Sequence, residues 1–136
     1  MSDYSSLEAR ILAFIQNESD AGFEGLILDI FHFQRKTNTA YANYCGQFEE
    51  PEGWKDIPAI PQSAFKYFPI RSFPENETIR NFRTSGTTGE GFGEHHFRNL
   101  ALYEAAVRKG WVEAALPKVD IALIPRSQEA PHSSLS

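Results

Sequence analysis

Apolar residues recur at helical spacing through the first third of the chain. Leu7, Ile11, Phe14 and Ile15 share one face of a helix predicted over about residues 6–17. Ser5 and Glu8 stand where a capping box would satisfy free amides at its start. A second helix is predicted after Asp20-Ala21-Gly22, where Phe23, Leu26, Ile27, Ile30, Phe31 and Gln34 keep a mostly apolar three-to-four spacing. A third, from Thr39 to about Cys45, carries Tyr41 and Tyr44 and stops near Gly46. From 46 to 62 the periodicity is lost. Pro51, Gly53, Pro58 and Pro61 restrict the backbone there, and Ile57-Pro58-Ala59-Ile60-Pro61 reads as extended. Ser63 stands ready to cap a short helix through Ala64-Phe65-Lys66, after which Pro69 and Pro74 keep the chain open.

The period then shortens. Ile79-Arg80-Asn81-Phe82-Arg83-Thr84 alternates apolar and polar residues as a strand does. A glycine-rich loop runs from Ser85 to Gly93, and His95-His96-Phe97 reads as a return strand. Asn99 is a candidate cap for a helix from about Leu100, with Leu102, Ala106 and Val107 on its apolar face. Gly110 is a candidate break, leaving Trp111 to Leu116 as a last turn or a short second helix. Val119-Asp120-Ile121-Ala122-Leu123-Ile124 reads as a buried strand closed by Pro125. This order resembles a β-α-β unit, whose crossover is expected to be right-handed.

The fold class expected is therefore α/β, in a single domain over 1–136. A helical region covers 1–50, an irregular Pro-rich connector 51–78, and a β-α-β unit 79–136. Few strands are legible, and a small sheet leaves open edges that invite pairing with another chain. The chain thus reads as a partial sheet belonging to something larger. The polar tail 131–136 is expected to fray.

Composition narrows the function classes. At 136 residues a substantial core is attainable, and 41% hydrophobic with 23% charged residues excludes disorder along most of the chain. A formal charge of −5 argues against a nucleic-acid partner. Cys45 is the only cysteine, so neither an internal disulfide nor a multi-thiolate zinc site is available. No signal-like N-terminus and no membrane-length apolar run is present, which makes a reducing cytoplasm the expected compartment. Asn17-Glu18-Ser19 and Asn76-Glu77-Thr78 then match the glycosylation pattern by coincidence.

The glycine loop carries the candidate chemistry. Gly86, Gly89, Gly91 and Gly93 let backbone amides approach a bulky anion, and Ser85, Thr87 and Thr88 add hydroxyl donors. A plain hairpin connector has a similar composition. Two other phosphate motifs fail. Gly86 and Gly91 have P-loop spacing, but Phe92 stands where lysine is needed. Gly91 and Gly93 would need a small residue at His96 for a dinucleotide fingerprint. His95 adjoins the loop and is a candidate near-site residue. His96, its neighbour on a strand, points to the opposite face, so the pair does not suit one metal. His32, on an apolar helical face, reads as a core or boundary residue, Lys66 and Arg83 as solvated side chains, and the phenylalanines at 23, 31, 33, 65, 68 and 73 as core. Cys45 reads as a packed thiol.

Thr84-Ser85-Gly86-Thr87-Thr88-Gly89 resembles the phosphate loop of the acyl- and aryl-adenylate-forming superfamily. Several flanking features narrow the resemblance: Tyr41, Tyr44, Ile57-Pro58-Ala59-Ile60-Pro61, Phe65-Lys66, Gly93-Glu94-His95-His96, and Ile124-Pro125 leading to Ser133-Ser134-Leu135-Ser136. From about Phe23 onward the chain looks like the acyl-protein synthetases, the fatty-acid–protein ligases of bacterial luminescence and their relatives. Phenylacetate–coenzyme A ligases are similar over the loop and less so over the flanks.

The resemblance implies a place in the large domain of an adenylate-forming enzyme, with ATP and Mg2+ as cofactors. A fatty acid or other carboxylic acid would attack the α-phosphate to give an acyl-adenylate and pyrophosphate. The acyl group would then pass to a thiol on a protein such as a reductase. Thr84, Ser85, Gly86, Thr87, Thr88 and Gly89 would grip the β- and γ-phosphates. Glu90-Gly91 departs from the Pro-Lys pair that follows the loop in many relatives. The superfamily's adenine, ribose and metal motifs, and its catalytic lysine, lie far beyond the loop. The chain is accordingly expected to be an N-terminal fragment, inactive alone. A non-catalytic interaction module is the alternative from another class.

Overall fold

The computed structural model describes residues 3–17, 22–84, 91–116 and 126–134. In chain order it contains α1 (Tyr4–Asn17), α2 (Phe23–Thr37), α3 (Thr39–Cys45), β1 (Arg80–Arg83), β2 (Glu94–Phe97) and α4 (Ala101–Glu113). Short 3-10 helices occupy Trp54–Asp56, Gln62–Lys66 and Glu75–Glu77. Chain contacts divide these into two compact units, Met1–Ile60 with Leu100–Leu116, and Pro61–Asn99 with Pro117–Ser136. At the coarse level the architecture is mixed, with helices and a small antiparallel sheet.

In the first unit, α1 begins earlier than the capping-box pattern predicts. Asp3, not Ser5, supplies the cap, its Oδ1 accepting from the Ser6 amide at 2.8 Å. With the cap at Asp3, Ser5 and Glu8 both lie inside α1, where Glu8 accepts from the Tyr4 hydroxyl at 2.7 Å. An aspartate at the cap has the better charge for the amide-rich end of the helix.

Gly22 opens α2 with φ of 83°, a left-handed conformation in which glycine has no Cβ to clash. The turn between α2 and α3 rests on buried Asn38, which caps α3 by accepting from the Tyr41 amide at 3.1 Å. Gly46 ends α3 in right-handed geometry, φ −62°, so its conformational freedom is not what stops the helix.

The core of this unit is Phe31 with Tyr41 and Cys45, joined by Tyr44, Ile57 and Ile60. Phe31 is 2% exposed and meets the Tyr41 ring edge-on at 6.2 Å. The Pro-rich segment has no ladder to satisfy its carbonyls, and two tyrosines do so instead. Tyr41 Oη donates to Pro58 O at 2.8 Å and Tyr44 Oη to Ala59 O at 3.1 Å. Burial, and then a hydrogen bond with the Cys45 thiol, push the Tyr41 phenol up to about 12, so it remains a donor. Cys45 is buried, as expected of a packed thiol, whereas His32 is exposed rather than at the core boundary.

Helix α4 packs on α1. Its start corrects the expected Asn99 cap, because Leu100 occupies the cap position and offers no side-chain hydrogen bond. Gly110 does not break the helix: Ala114 N donates to Gly110 O at 3.0 Å, and Lys109 pairs with Glu113 across the same turn. An interior glycine costs only about 1 kcal/mol, which its neighbours offset.

The second unit holds the sheet, in which β1 and β2 form a two-stranded antiparallel hairpin. The expected strand at 119–124, and with it the β-α-β crossover, lies outside the described residues. Gln62–Lys66 begins directly after Pro61, so Ser63 lies within that 3-10 helix rather than capping it. The tail as far as 134 also departs from expectation, and residues 135 and 136 lie outside the described residues. Residues 126–134 are folded against β1 rather than frayed: Arg83 N donates to His132 O at 2.9 Å, and Arg80 reaches Pro131 O at 3.3 Å. Strand edges need partners, and a turn of the tail provides one here. Among the described residues no helix is long and apolar enough to cross a membrane.

Asn38→Ala is expected to cost about 1 kcal/mol through loss of the cap. Tyr41→Phe is expected to cost about 1–3 kcal/mol, because Pro58 O is left without its donor. Urea titrations of the two variants against the parent chain measure both.

Candidate functional site

The glycine loop is closed at its neck by a reciprocal pair. Thr84 N donates to Gly93 O at 2.9 Å, and Gly93 N donates to Thr84 Oγ1, also at 2.9 Å. Gly93 is buried, and a Cβ added there would lie 3.1 Å from Thr84 Oγ1 and 3.5 Å from Phe65 Cβ. Glycine at 93 therefore lets the two strands and the 3-10 helix approach each other. Gly91 has φ of 92°, again a glycine conformation. Of the predicted phosphate-loop residues, only Thr84 is described. Ser85, Gly86, Thr87, Thr88 and Gly89, with Glu90, lie outside the described residues.

Below the neck the strand register sets two faces. Arg80 pairs with Phe97, Asn81 with His96, Phe82 with His95 and Arg83 with Glu94. Alternation puts Phe82, His95 and Phe97 on one face and Asn81, Arg83, Glu94 and His96 on the other. On the aromatic face Phe82 and Phe97 meet edge-on at 5.2 Å. Phe65 from the Gln62–Lys66 helix stacks on His95 at 4.4 Å and an interplanar angle of 28°. Burial, and then the neighbouring charge of His96, hold His95 below the ordinary histidine range. Its imidazole is thereby kept neutral close to the neck, able to accept or donate one hydrogen bond.

The other face is ionic. Arg83 Nε donates to Glu94 Oε1 at 2.9 Å, and Glu94 Oε2 lies 3.7 Å from His96 Nε2. Burial pushes the Glu94 carboxyl up, but hydrogen bonds from Arg83 and Asn81 and the nearby charges outweigh it. The carboxyl ends below its usual value, so Arg83 faces a charged partner across the pH range of most assays. His96 is 10% exposed, and its Nδ1 lies 3.4 Å from Thr78 Oγ1. The two histidines thus take opposite faces, as strand alternation predicts. Among the described residues no cluster of three or more His, Cys, Asp or Glu side chains is arranged to hold a metal.

Thr84 and His95 are legible in the sequence as site residues, and their partners are not. Phe65 reads in the sequence as an ordinary core residue, and nothing in the pattern links it to His95. His132 lay in the tail expected to fray. Gly93 carried a faint signal, being the last glycine of the rich run and the one that starts the return strand. Comparisons with protein-family models, with curated proteins and with solved structures find no significant match.

Gly93→Ala is expected to destabilise the chain by about 1–3 kcal/mol, because the new methyl crowds the Thr84 hydroxyl. Loss of hairpin amide protection, followed by exchange NMR, checks it. His95 carries a pH dependence of definite sign. Its folded pKa is depressed, so its contribution is fully present above the unfolded value of about 6.5 and is lost as pH falls through the lower folded value. The difference in melting temperature between pH 8 and pH 5 is expected to shrink in His95→Phe.

Proposed function

We propose that the chain carries the triphosphate-gripping loop of an enzyme that activates a carboxylic acid with ATP. The substrate is a fatty acid, activated as its acyl-adenylate and passed to a protein thiol. The observation that supports this most is the tied neck below a loop rich in serine, threonine and glycine. Phosphate recognition of this kind depends on positioned amides and hydroxyls rather than on a reactive side chain. A closed neck lowers the entropy lost when such a loop wraps an anion. The neutral imidazole of His95 beside the neck adds a polar group that does not itself demand a counter-ion. Mg2+ would arrive held by the nucleotide rather than by carboxylates of this chain, and would supply positive charge to offset that of the phosphates.

The acceptor distinguishes this reading from a coenzyme A ligase, and product analysis with labelled fatty acid separates acylated protein from acyl-coenzyme A. A specific observation favours a second reading, a non-catalytic docking module. Helix α4 has no buried residue and leaves Val107, Trp111 and Val112 exposed. Apolar exposure of that kind marks interaction surfaces.

Calorimetric titration with MgATP discriminates between them. The parent chain is expected to bind MgATP and tripolyphosphate but not adenosine. Thr87→Ala and Thr88→Ala are each expected to weaken binding about 10-fold or more, the loss of a hydrogen bond to a charged group. Equal affinity in the parent chain and both variants would contradict the phosphate role.

A further inference from the structure

Where β1 runs into the glycine loop, its two edges are held differently. The inner edge belongs to β2, with Thr84 N on Gly93 O. Along a strand, successive residues turn their backbone groups to opposite edges. Arg83 N and Asn81 O therefore face outward, and one residue satisfies both. The backbone carbonyl of His132 accepts from Arg83 N at 2.9 Å, and Nδ1 of its ring lies 3.0 Å from Asn81 O. A carbonyl oxygen only accepts, so the contact requires the proton on Nδ1. The ring thus takes the part that a neighbouring strand's N–H would play.

The turn presenting His132 is itself tied. Ser133 N donates to Ala130 O at 3.0 Å, and Ala130 N and Glu129 N both donate to Arg126 O, at 3.0 and 2.9 Å. Arg126 N in turn donates to Glu129 Oε2 at 3.3 Å, and Arg80 Nη1 donates to Pro131 O at 3.3 Å. His132 is thus offered from a preorganised turn. The clasp matters because an isolated hairpin of two strands, each four residues long, is marginal in water.

We propose that His132 is a positioning residue for the glycine loop: its ring N–H and carbonyl hold the outer edge of β1 and so fix the direction in which the chain leaves at Thr84. The ligand affected rests on the phosphate-loop reading above; the ordering of Arg83 and Thr84 rests on the hydrogen bonds alone. No contact between His132 and the ligand is implied.

Three variants test it. In His132→Asn the side-chain amide nitrogen falls near the place of Nδ1, in His132→Gln it falls near Nε2, and His132→Ala has no donor. Amide exchange at Arg83 and Thr84 is read together with MgATP affinity and melting temperature. His132→Ala and His132→Gln are expected to speed exchange at both amides about 10-fold and to weaken MgATP binding about 5–10-fold. His132→Asn is expected to restore both toward the parent values, while all three variants melt close to the parent. The contrast of Asn with Gln shows that the Nδ1 donor is what matters, and a merely structural role would lower the melting temperature without moving MgATP affinity. Unchanged exchange in His132→Ala, or equal behaviour of Asn and Gln, would overturn the proposal. Exchange responding as expected in a chain that binds no MgATP would uphold the positioning role and sink the phosphate reading. Binding lost in Thr87→Ala but untouched in His132→Ala, with unchanged exchange, would do the reverse.

Discussion

The reciprocal hydrogen bonds between Thr84 and Gly93 are the constraint on which the candidate site depends. They pair a backbone amide with a carbonyl in one direction and a backbone amide with a hydroxyl in the other. The second bond needs a hydroxyl at 84, and the close approach needs no Cβ at 93. Phe65 stacking on His95, and the Arg83–Glu94 ion pair, then fix the two faces of the hairpin just below. The ion pair is partly exposed and contributes little to stability on its own. Its role is to hold register, since a slip by one residue would exchange the aromatic and ionic faces.

The helical unit is organised around a different problem, the unpaired carbonyls of the Pro-rich stretch. Prolines at 51, 58 and 61 cannot donate to any ladder, so the chain there is tied by tyrosine hydroxyls instead. Tyr41 serves twice, as a ring against Phe31 and as the donor to Pro58 O. Because Asn38 orients the start of α3, the cap and the tyrosine clamp depend on each other: Tyr41 offers its amide to Asn38 and its hydroxyl to Pro58.

Legibility in the sequence followed the range of the interaction. Helices α2 and α3 were readable because their apolar spacing and the glycine before α2 are local signals. The hairpin was readable from alternation in β1 and the apolar end of β2. The start of α1 is ambiguous in the sequence because Asp3 and Ser5 both suit a cap, and only the folded chain decides between them. The continuity of α4 through Gly110 was missed because its support comes from contacts with α1 and the Lys109–Glu113 pair. Within the site, Thr84 and His95 were named from the loop they flank. Phe65 and His132 were not, since each reaches the hairpin across many residues of chain and no periodicity records that.

Amide chemical shifts of the isotopically labelled chain, followed during titration with MgATP, test the central claim most directly. The account predicts saturable shifts at the amides of residues 84–89 and at Gly93, with tripolyphosphate reproducing them and adenosine leaving them in place. Shifts confined to the helices, with the amides of the loop and of Gly93 unmoved at saturating nucleotide, would contradict it.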